Sequence, residues 1–408
     1  MTDIKFLNEI DSQLDWQRDL YKDFHREPEL GLEEHKTADR IESELKEMGL
    51  KATRVSETGL VAVLENGDGP TVLARADIDA LPVTEDTGLD YSSTVDGVMH
   101  ACGHDMHIVA LLGAVRLMND NRDSWSGTYI ALFQPSEENA AGAKAMIDYG
   151  LTAKVPKPEI AFAQHVMPLP TGTVNTKAGP VLSAGDSVKI TVHGRGAHGS
   201  MPHLSVDPVV LAASIVLRLQ TIVSRETDPG EFAVVTVGAS NSGSKSNIIP
   251  DRAELLLNLR TYDMGVRDRI IASIERIVRG ECEAAGSPKE PTFEYYDQFP
   301  LTDNDAEANE AVTTAFADYF DDGVVQPASP ATASEDFSEI PDAFGVPYVY
   351  WMVGCADADR YREAEKAGTI NSDIPANHAP NFAPVIDPTL ELATKAQVVA
   401  ALSRLGKK

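Results

Sequence analysis

The chain has 408 residues, 43% of them apolar and 24% charged, and carries a formal net charge of −28. At ~100–200 residues per domain that is enough for two or three domains with substantial cores. The charge argues against nucleic acid or an anionic membrane as partner, since it repels phosphates at long range, and no unbroken apolar run of ~18 or more residues marks a membrane span.

The N-terminal stretch "MTDIKFLNEIDSQLDWQRDLYKDF" is acidic and amphipathic and lacks the basic and apolar blocks of a signal peptide, so cytoplasmic residence is the expectation. Within it "DSQLDWQRDLYKDFH" reads as a helix, and "HKTADRIESELKEMG" as a second one beyond the breaker-rich "REPELG". Strands and helices then alternate. "LVAVLEN", "TVLARADID", "TYIALFQP" and "EIAFAQHV" have strand character, while residues 103–119 and "GAKAMIDYG" have helix character. That order predicts an α/β domain with a mainly parallel sheet covered by helices.

Near residue 183 the pattern changes. "DSVKITVHG", the helix "PVVLAASIVLRLQTIV", the strands "FAVVTVGA" and "AELLLNLRTY", the long helix "VRDRIIASIERIVRGECEAAG" and "TFEYYDQF" describe an α+β module with one sheet face covered by two helices. From about residue 298 the alternation resumes, through "YVYWMVG" to the closing helix "PTLELATKAQVVAALSRLG". The expected organisation is a larger α/β domain over residues 1–182 and 298–408, interrupted by an α+β domain over residues 183–297. The three cysteines, Cys102, Cys282 and Cys355, are odd in number and widely spaced, which argues against a disulfide framework.

Cys102 stands in "HACGHDMH", where three histidines and a cysteine share eight residues at the mouth of the third helix. If that entrance is extended, Cys102 and His104 project to one side and can grip one ion, and thiolate with imidazole suits zinc. A small buried cysteine beside chance histidines is the plainer alternative. "FQPSEEN" delivers Glu137 and Glu138 to the C-terminal end of a strand, where open α/β sheets place ligands. There one carboxylate can bind metal while its neighbour faces the reacting water; acids opening a helix are the alternative. His165 ends the next strand and His378 lies in the loop "IPANHAPNFAP". Either histidine alone would pass as structural. Together these residues supply N, O and S ligands and a further carboxylate, the inventory of a metal-assisted hydrolase. "ARADIDALP" sets Arg75, Asp77 and Asp79 on one face of a strand end, where carboxylates can orient a ligand imidazole or simply close a salt bridge.

The motifs "RADIDALP", "MHACGHDMH", "QPSEEN", "AQHVMPLPTG", "GRGAHGSMPH", "SNIIP", "ASEDF" and "NHAPNF" resemble, in order and spacing, those of the M20 metallopeptidase family. The resemblance runs from about residue 15 to 400 and is strongest to the aminoacylase, hippurate hydrolase and auxin-conjugate hydrolase branch. "LQTIVSRETDPGEFAVVTVG" and "WSGTYIALFQPSEE" are similar to the N-acyl-glutamine aminoacylases of corynebacteria. The resemblance implies an amidohydrolase of N-acyl amino acids, with a dipeptidase or aminopeptidase of the same architecture and a non-catalytic metal-containing binding protein as the alternatives. It implies one or two divalent ions, with Zn2+ expected and Mn2+, Co2+ or Ni2+ as alternatives, held by Cys102, His104, Glu138, His165 and His378. Glu137 corresponds to the general base, and Asp77 to the carboxylate that orients a metal ligand. Other branches have His at Arg75 and an Asp ligand near Cys102. The α+β module corresponds to a lid through which two chains pair as a homodimer. In it His198 matches a donor to the oxyanion, supplied by the partner subunit, while Asn247, Arg260 and His203 match positions that hold the small-molecule substrate.

Overall fold

A computed structural model describes residues 5–407; the first four residues of the N-terminal stretch and Lys408 lie outside it. The chain divides into two units, one of Met1–Val181, Asp303–Pro330 and Asp336–Lys408, the other of Leu182–Thr302 and Ala331–Glu335. The break expected near residue 298 therefore falls at Thr302, and the second unit also takes in residues 331–335. Pairing between distant segments draws that piece in: Ser183 N–H donates to Ala333 O at 2.8 Å, and Ser334 Oγ donates to Ser183 O at 2.7 Å. Hydrophobic periodicity carries no trace of such contacts.

The first unit is built on an eight-stranded sheet in the order Ala52–Arg54, Leu60–Asn66, Gly127–Gln134, Thr71–Asp77, Ile160–Pro170, Tyr348–Ala356, Val174–Thr176, Val325–Pro327. The four strands from Gly127–Gln134 to Tyr348–Ala356 are mutually parallel, and antiparallel pairs lie toward the edges. Helices cover both faces of a parallel sheet, so its strands read as unbroken apolar runs rather than alternating ones. Tyr348–Ala356, "YVYWMVGCA", is buried over all but its last residue. The helix His104–Asp120 is likewise apolar on nearly every side and packs with the helices Leu14–Arg26 and Ile386–Leu405 in the same core. Parallel strands send their C-terminal ends to one edge. Asp77 lies level with Gln134, and Arg75 with Ala163, so Asp77 and His165 share that edge two residues further on.

The second unit is a four-stranded antiparallel sheet in the order Ala233–Ser242, Arg252–Thr261, Ala184–His193, Thr292–Phe299. Residues along Arg252–Thr261 alternate buried and less buried, the period-two signature of a sheet covered on one face. The helices Pro208–Thr221 and Met264–Ala285 supply that cover through Leu211, Ile215, Leu219, Val266, Ile270 and Ile274. Among the described residues the segment Pro208–Glu226 alone is long and apolar enough to cross a membrane by length and composition, although Arg218, Gln220 and Arg225 interrupt its apolar run. One of its faces is accounted for by this core.

Just behind the mouth of His104–Asp120, His25 Nδ1 donates to Asp105 Oδ2 at 2.6 Å and Nε2 approaches Glu85 Oε1 at 3.4 Å. Burial works against a charge on His25, but the two carboxylates outweigh it and raise its pKa to about 9. Burial also opposes ionisation of Glu85, yet His25, the Thr87 hydroxyl and Ser93 N–H bring it down to about 2. The cluster ties the irregular segment after Asp77 to the helix that opens with His104. Because the folded pKa of His25 lies above its unfolded value of ~6.5, its stabilisation is complete below that pH and is lost as pH rises through about 9. His25→Ala leaves Asp105 buried without its cationic partner and should cost about 3 kcal/mol or more in chemical denaturation at pH 6. The difference from wild type should shrink above pH 9; a difference independent of pH would refute the charged pair.

Candidate metal centre

Four separate segments bring donors to the C-terminal edge of the parallel strands. Cys102 and His104 flank Gly103, whose φ of +87° lies in the left-handed region. The entrance to the helix is therefore not extended, as the period-two argument supposes; a left-handed glycine turns both side chains toward the site instead. A Cβ on Gly103 would stand 2.4 Å from Val166 Cγ2, so the middle residue of this C-x-H has to be glycine. Glu137 and Glu138 follow the strand Gly127–Gln134 after a tight turn in which Ser136 adopts φ +47° and gives its N–H to Glu34 Oε1 at 2.8 Å. His165 lies within Ile160–Pro170, and His378, at φ +69°, comes from the loop before the last helix.

Cys102, Glu138 and His378 present ligand atoms all within 4.8 Å of one another, and so do His104, Glu137 and Glu138. Cys102 Sγ lies 3.4 Å from His165 Nε2, and Glu138 Oε1 lies 3.2 Å from His378 Nε2. Glu138 Oε1 is buried with this ion-pair approach as its nearest contact to an imidazole, and His104 Nε2 is buried without a hydrogen-bond partner. A buried polar atom without a partner is costly unless a ligand meets it. Here the two atoms face one another across 3.9 Å within a mixed S, N and O donor set, which fits a divalent ion such as zinc.

The electrostatics agree. Burial opposes a charge on His104, yet Asp77, Asp79 and Glu138 overcome it and raise its pKa to about 10. Burial drives the Cys102 thiol well above its usual range, and the Glu138, Glu137 and Asp77 charges add to the shift. His165 moves the other way, held neutral by burial and by the neighbouring His107 and His104. Without a metal ion, burial and the nearby carboxylates keep Cys102 protonated, which disfavours a thiolate nucleophile acting alone. A divalent cation reverses that balance by favouring thiolate and neutral imidazole.

The orienting contacts differ from the expectation in one respect. Asp79, rather than Asp77, holds the ligand-type His104: its carbonyl and Oδ1 accept from Nδ1 at 2.9 and 3.2 Å, and its Oδ2 accepts from Glu138 N–H at 3.0 Å. Asp77 Oδ2 instead takes Arg75 Nη1 at 2.7 Å, and Oδ1 takes His107 Nδ1 at 2.5 Å. His107 Nε2 accepts from Val166 N–H at 2.8 Å, so this histidine, to which sequence alone assigns no role, has both nitrogens occupied and is unsuited to ligation despite its position. A slip of two residues along one strand face separates Asp77 from Asp79, and periodicity cannot resolve it.

His198, His203, Asn247 and Arg260 belong to the second unit. His198 ends a two-residue strand paired with Ile248–Ile249; its Nδ1 meets Ser200 Oγ at 2.7 Å, and Asn247 O accepts Gly199 N–H at 2.8 Å beside it. His203 lies exposed in the short turn Pro202–Leu204. Arg260 pairs with Gly185, at the opposite end of the same strands from the His193–Arg252 pair that leads into the His198 turn. Its Nη1 donates to Ser334 Oγ and its Nε to Asn258 Oδ1 at 3.0 Å. Within one chain the structure therefore does not gather Arg260 with His198 and Asn247.

Comparison with known proteins is specific. Residues 73–373 match the model of peptidase family M20/M25/M40. An N-acetyl-L-cysteine deacetylase of Bacillus subtilis is 38% identical over 335 residues, covering 80% of this chain and 78% of its own. Thermostable carboxypeptidase 2 of Saccharolobus solfataricus is 33% identical and covers 99% of both chains. Among solved structures, the YXEP protein of Bacillus subtilis, described as a dinuclear metal-binding peptidase of the M20 family, superposes with a TM-score of 0.78 at 28% identity, over 96% of this chain and 99% of its own.

If Cys102 is a ligand, Cys102→Ser should lower bound metal as well as rate, because a hydroxyl replaces thiolate poorly. Cys282→Ser, in the other unit, should leave metal content unchanged. Full occupancy in Cys102→Ser by elemental analysis would remove Cys102 from the site.

Proposed function

The chain belongs to peptidase family M20/M25/M40 and is a hydrolase acting on amide bonds, and from that premise we propose that it cleaves N-acyl amino acids to a carboxylic acid and a free amino acid. The observation that carries the reading is the donor cluster of Cys102, His104, Glu138, His165 and His378 with a second buried carboxylate, Glu137, beside it. A purely structural metal site needs ligands only, so Glu137 favours catalysis over a non-catalytic binding protein. Those five residues would hold one or two divalent ions, zinc first on the strength of the thiolate and imidazoles. Such an ion, when bound, polarises the amide carbonyl and acidifies the attacking water.

Glu137 takes the proton of that water and passes it to the leaving nitrogen. Asp79 keeps the Nε2 lone pair of His104 directed at the site by holding Nδ1. His198 donates to the oxyanion, while Arg260 forks onto the substrate carboxylate and Asn247 and His203 hold its polar groups. Because Arg260 lies at one end of the four-stranded sheet and the small His198 sheet follows from its other end, both can engage one substrate most simply if two subunits contribute. A homodimer through the second unit answers that need. Val210 and Leu217 on its covering helix are 62% and 74% exposed, apolar surface suited to such pairing. Three free cysteines support residence in the reducing cytoplasm.

The name of the archaeal relative keeps a peptidase reading in play. Metal-reconstituted protein assayed on N-acyl amino acids and on free dipeptides separates the two: the acyl substrates should be turned over at higher kcat/KM, and the reverse order would replace this proposal by the peptidase one. Glu137→Gln should retain metal and substrate affinity while kcat falls by ~10²–10⁴-fold. Mixing inactive His198→Ala with inactive Glu137→Gln subunits should restore part of the activity. No recovery despite verified exchange would exclude a residue supplied by the partner.

A further inference from the structure

One side chain outside the ligand set touches two of the donor segments and sits on a third. Asn377 Nδ2 donates to Cys102 O at 3.1 Å and to Val166 O at 3.3 Å, and lies 3.9 Å from Cys102 Sγ. The next residue is His378, whose own N–H donates to Ala101 O at 2.8 Å. Segments 101–104, 165–166 and 377–378 are far apart in sequence. The first two meet where Cys102 Sγ and His165 Nε2 are 3.4 Å apart, and the third carries its histidine on a residue with φ +69°, a conformation that persists only where the surroundings hold it. His378 itself is half exposed, its side chain 54% accessible, so packing does little to fix it.

We propose that Asn377 is a positioning residue that locks the loop bearing His378 onto the Cys102 and His165 segments and so sets the spacing of the three donors. The chemistry is particular to an amide. Two carbonyl oxygens can be met only by a group with two N–H bonds, so the NH2 end of Asn377 must face them, and the same group lies within reach of the sulfur, where an N–H favours thiolate. A carboxylate of identical shape would set an acceptor against two carbonyls and a thiolate.

The inference rests on the metal-site reading, and the test separates the two. Cobalt(II)-substituted protein gives an absorption band from thiolate-to-metal charge transfer if Cys102 is a ligand. Asn377→Asp and Asn377→Ala should weaken metal affinity by about 10–100-fold, the usual range for residues that orient ligands, and should shift or weaken that band. Thermal unfolding of the metal-free variants should match wild type, and Asn377→Gln, which keeps the amide, should recover part of the affinity. Unchanged affinity and band in Asn377→Asp would overturn the role of Asn377 alone, and so would a matching loss of metal-free stability, which would make the residue a general packing contact. A wild-type cobalt protein without the thiolate band would overturn the ligand assignment, and this inference with it.

Discussion

The arrangement depends on a guanidinium buried away from solvent. Arg75 is fully buried in the middle of the main sheet, and an arginine cannot shed its charge. Burying such a group costs several kcal/mol unless it is paired and hydrogen-bonded. Asp77 Oδ2 and Gln134 Oε1 accept from it, Asp336 Oδ1 lies 3.5 Å away, and Gln134 in turn donates to Asp336. Neutralising Arg75 fixes the Asp77 carboxylate, which leaves Oδ1 for His107. His107 then takes the N–H of Val166, the residue after His165. A charge balance two layers below the site thus reaches the backbone that carries one of the candidate ligands.

Above this layer the carboxylates face imidazoles and a thiol rather than a guanidinium. Asp77, Asp79, Glu137 and Glu138 crowd the strand ends with His104, His107, His165 and the Cys102 thiol, and all but Glu138, which is nearly so, are buried. The result is a set of opposed shifts, His104 up, His165 down and Cys102 up, in side chains a few ångströms apart. Such a pocket is unbalanced as protein alone, and a divalent cation balances it. Strain collects at the same place. Ser136 and His378, two non-glycine residues with positive φ, stand beside or at the candidate donors, held by Glu34 and by Ala101. The second unit is built differently: its core is aliphatic, and its ion pair of Arg267 with Asp186 is bidentate.

Most of the secondary structure was legible because its cause is local. Leu60–Asn66 coincides with the apolar run "LVAVLEN", and the helix His35–Glu47 begins where "HKTADRIESELKEMG" does. The short strands Val174–Thr176 and Val325–Pro327 escaped notice, since three residues are too few to establish a period of two. The ligand-type residues were legible as types, because cysteine, histidine and paired carboxylates at strand ends are rare without a purpose, and the M20 motifs ordered them.

What the sequence determined by itself is therefore the fold class, which follows from periodicity, the family, which follows from the resemblance of its ordered motifs to those of M20, and the residue types able to bind metal. Only the tertiary structure decided which aspartate serves which histidine, that both nitrogens of His107 are occupied, that Gly103 turns the C-x-H by a left-handed φ, and that Asn377 joins three donor segments. The physical reason is directional. A hydrogen bond is set by angles and by distances of tenths of an ångström between residues up to 275 positions apart in the chain, and no local pattern of residue types encodes such geometry.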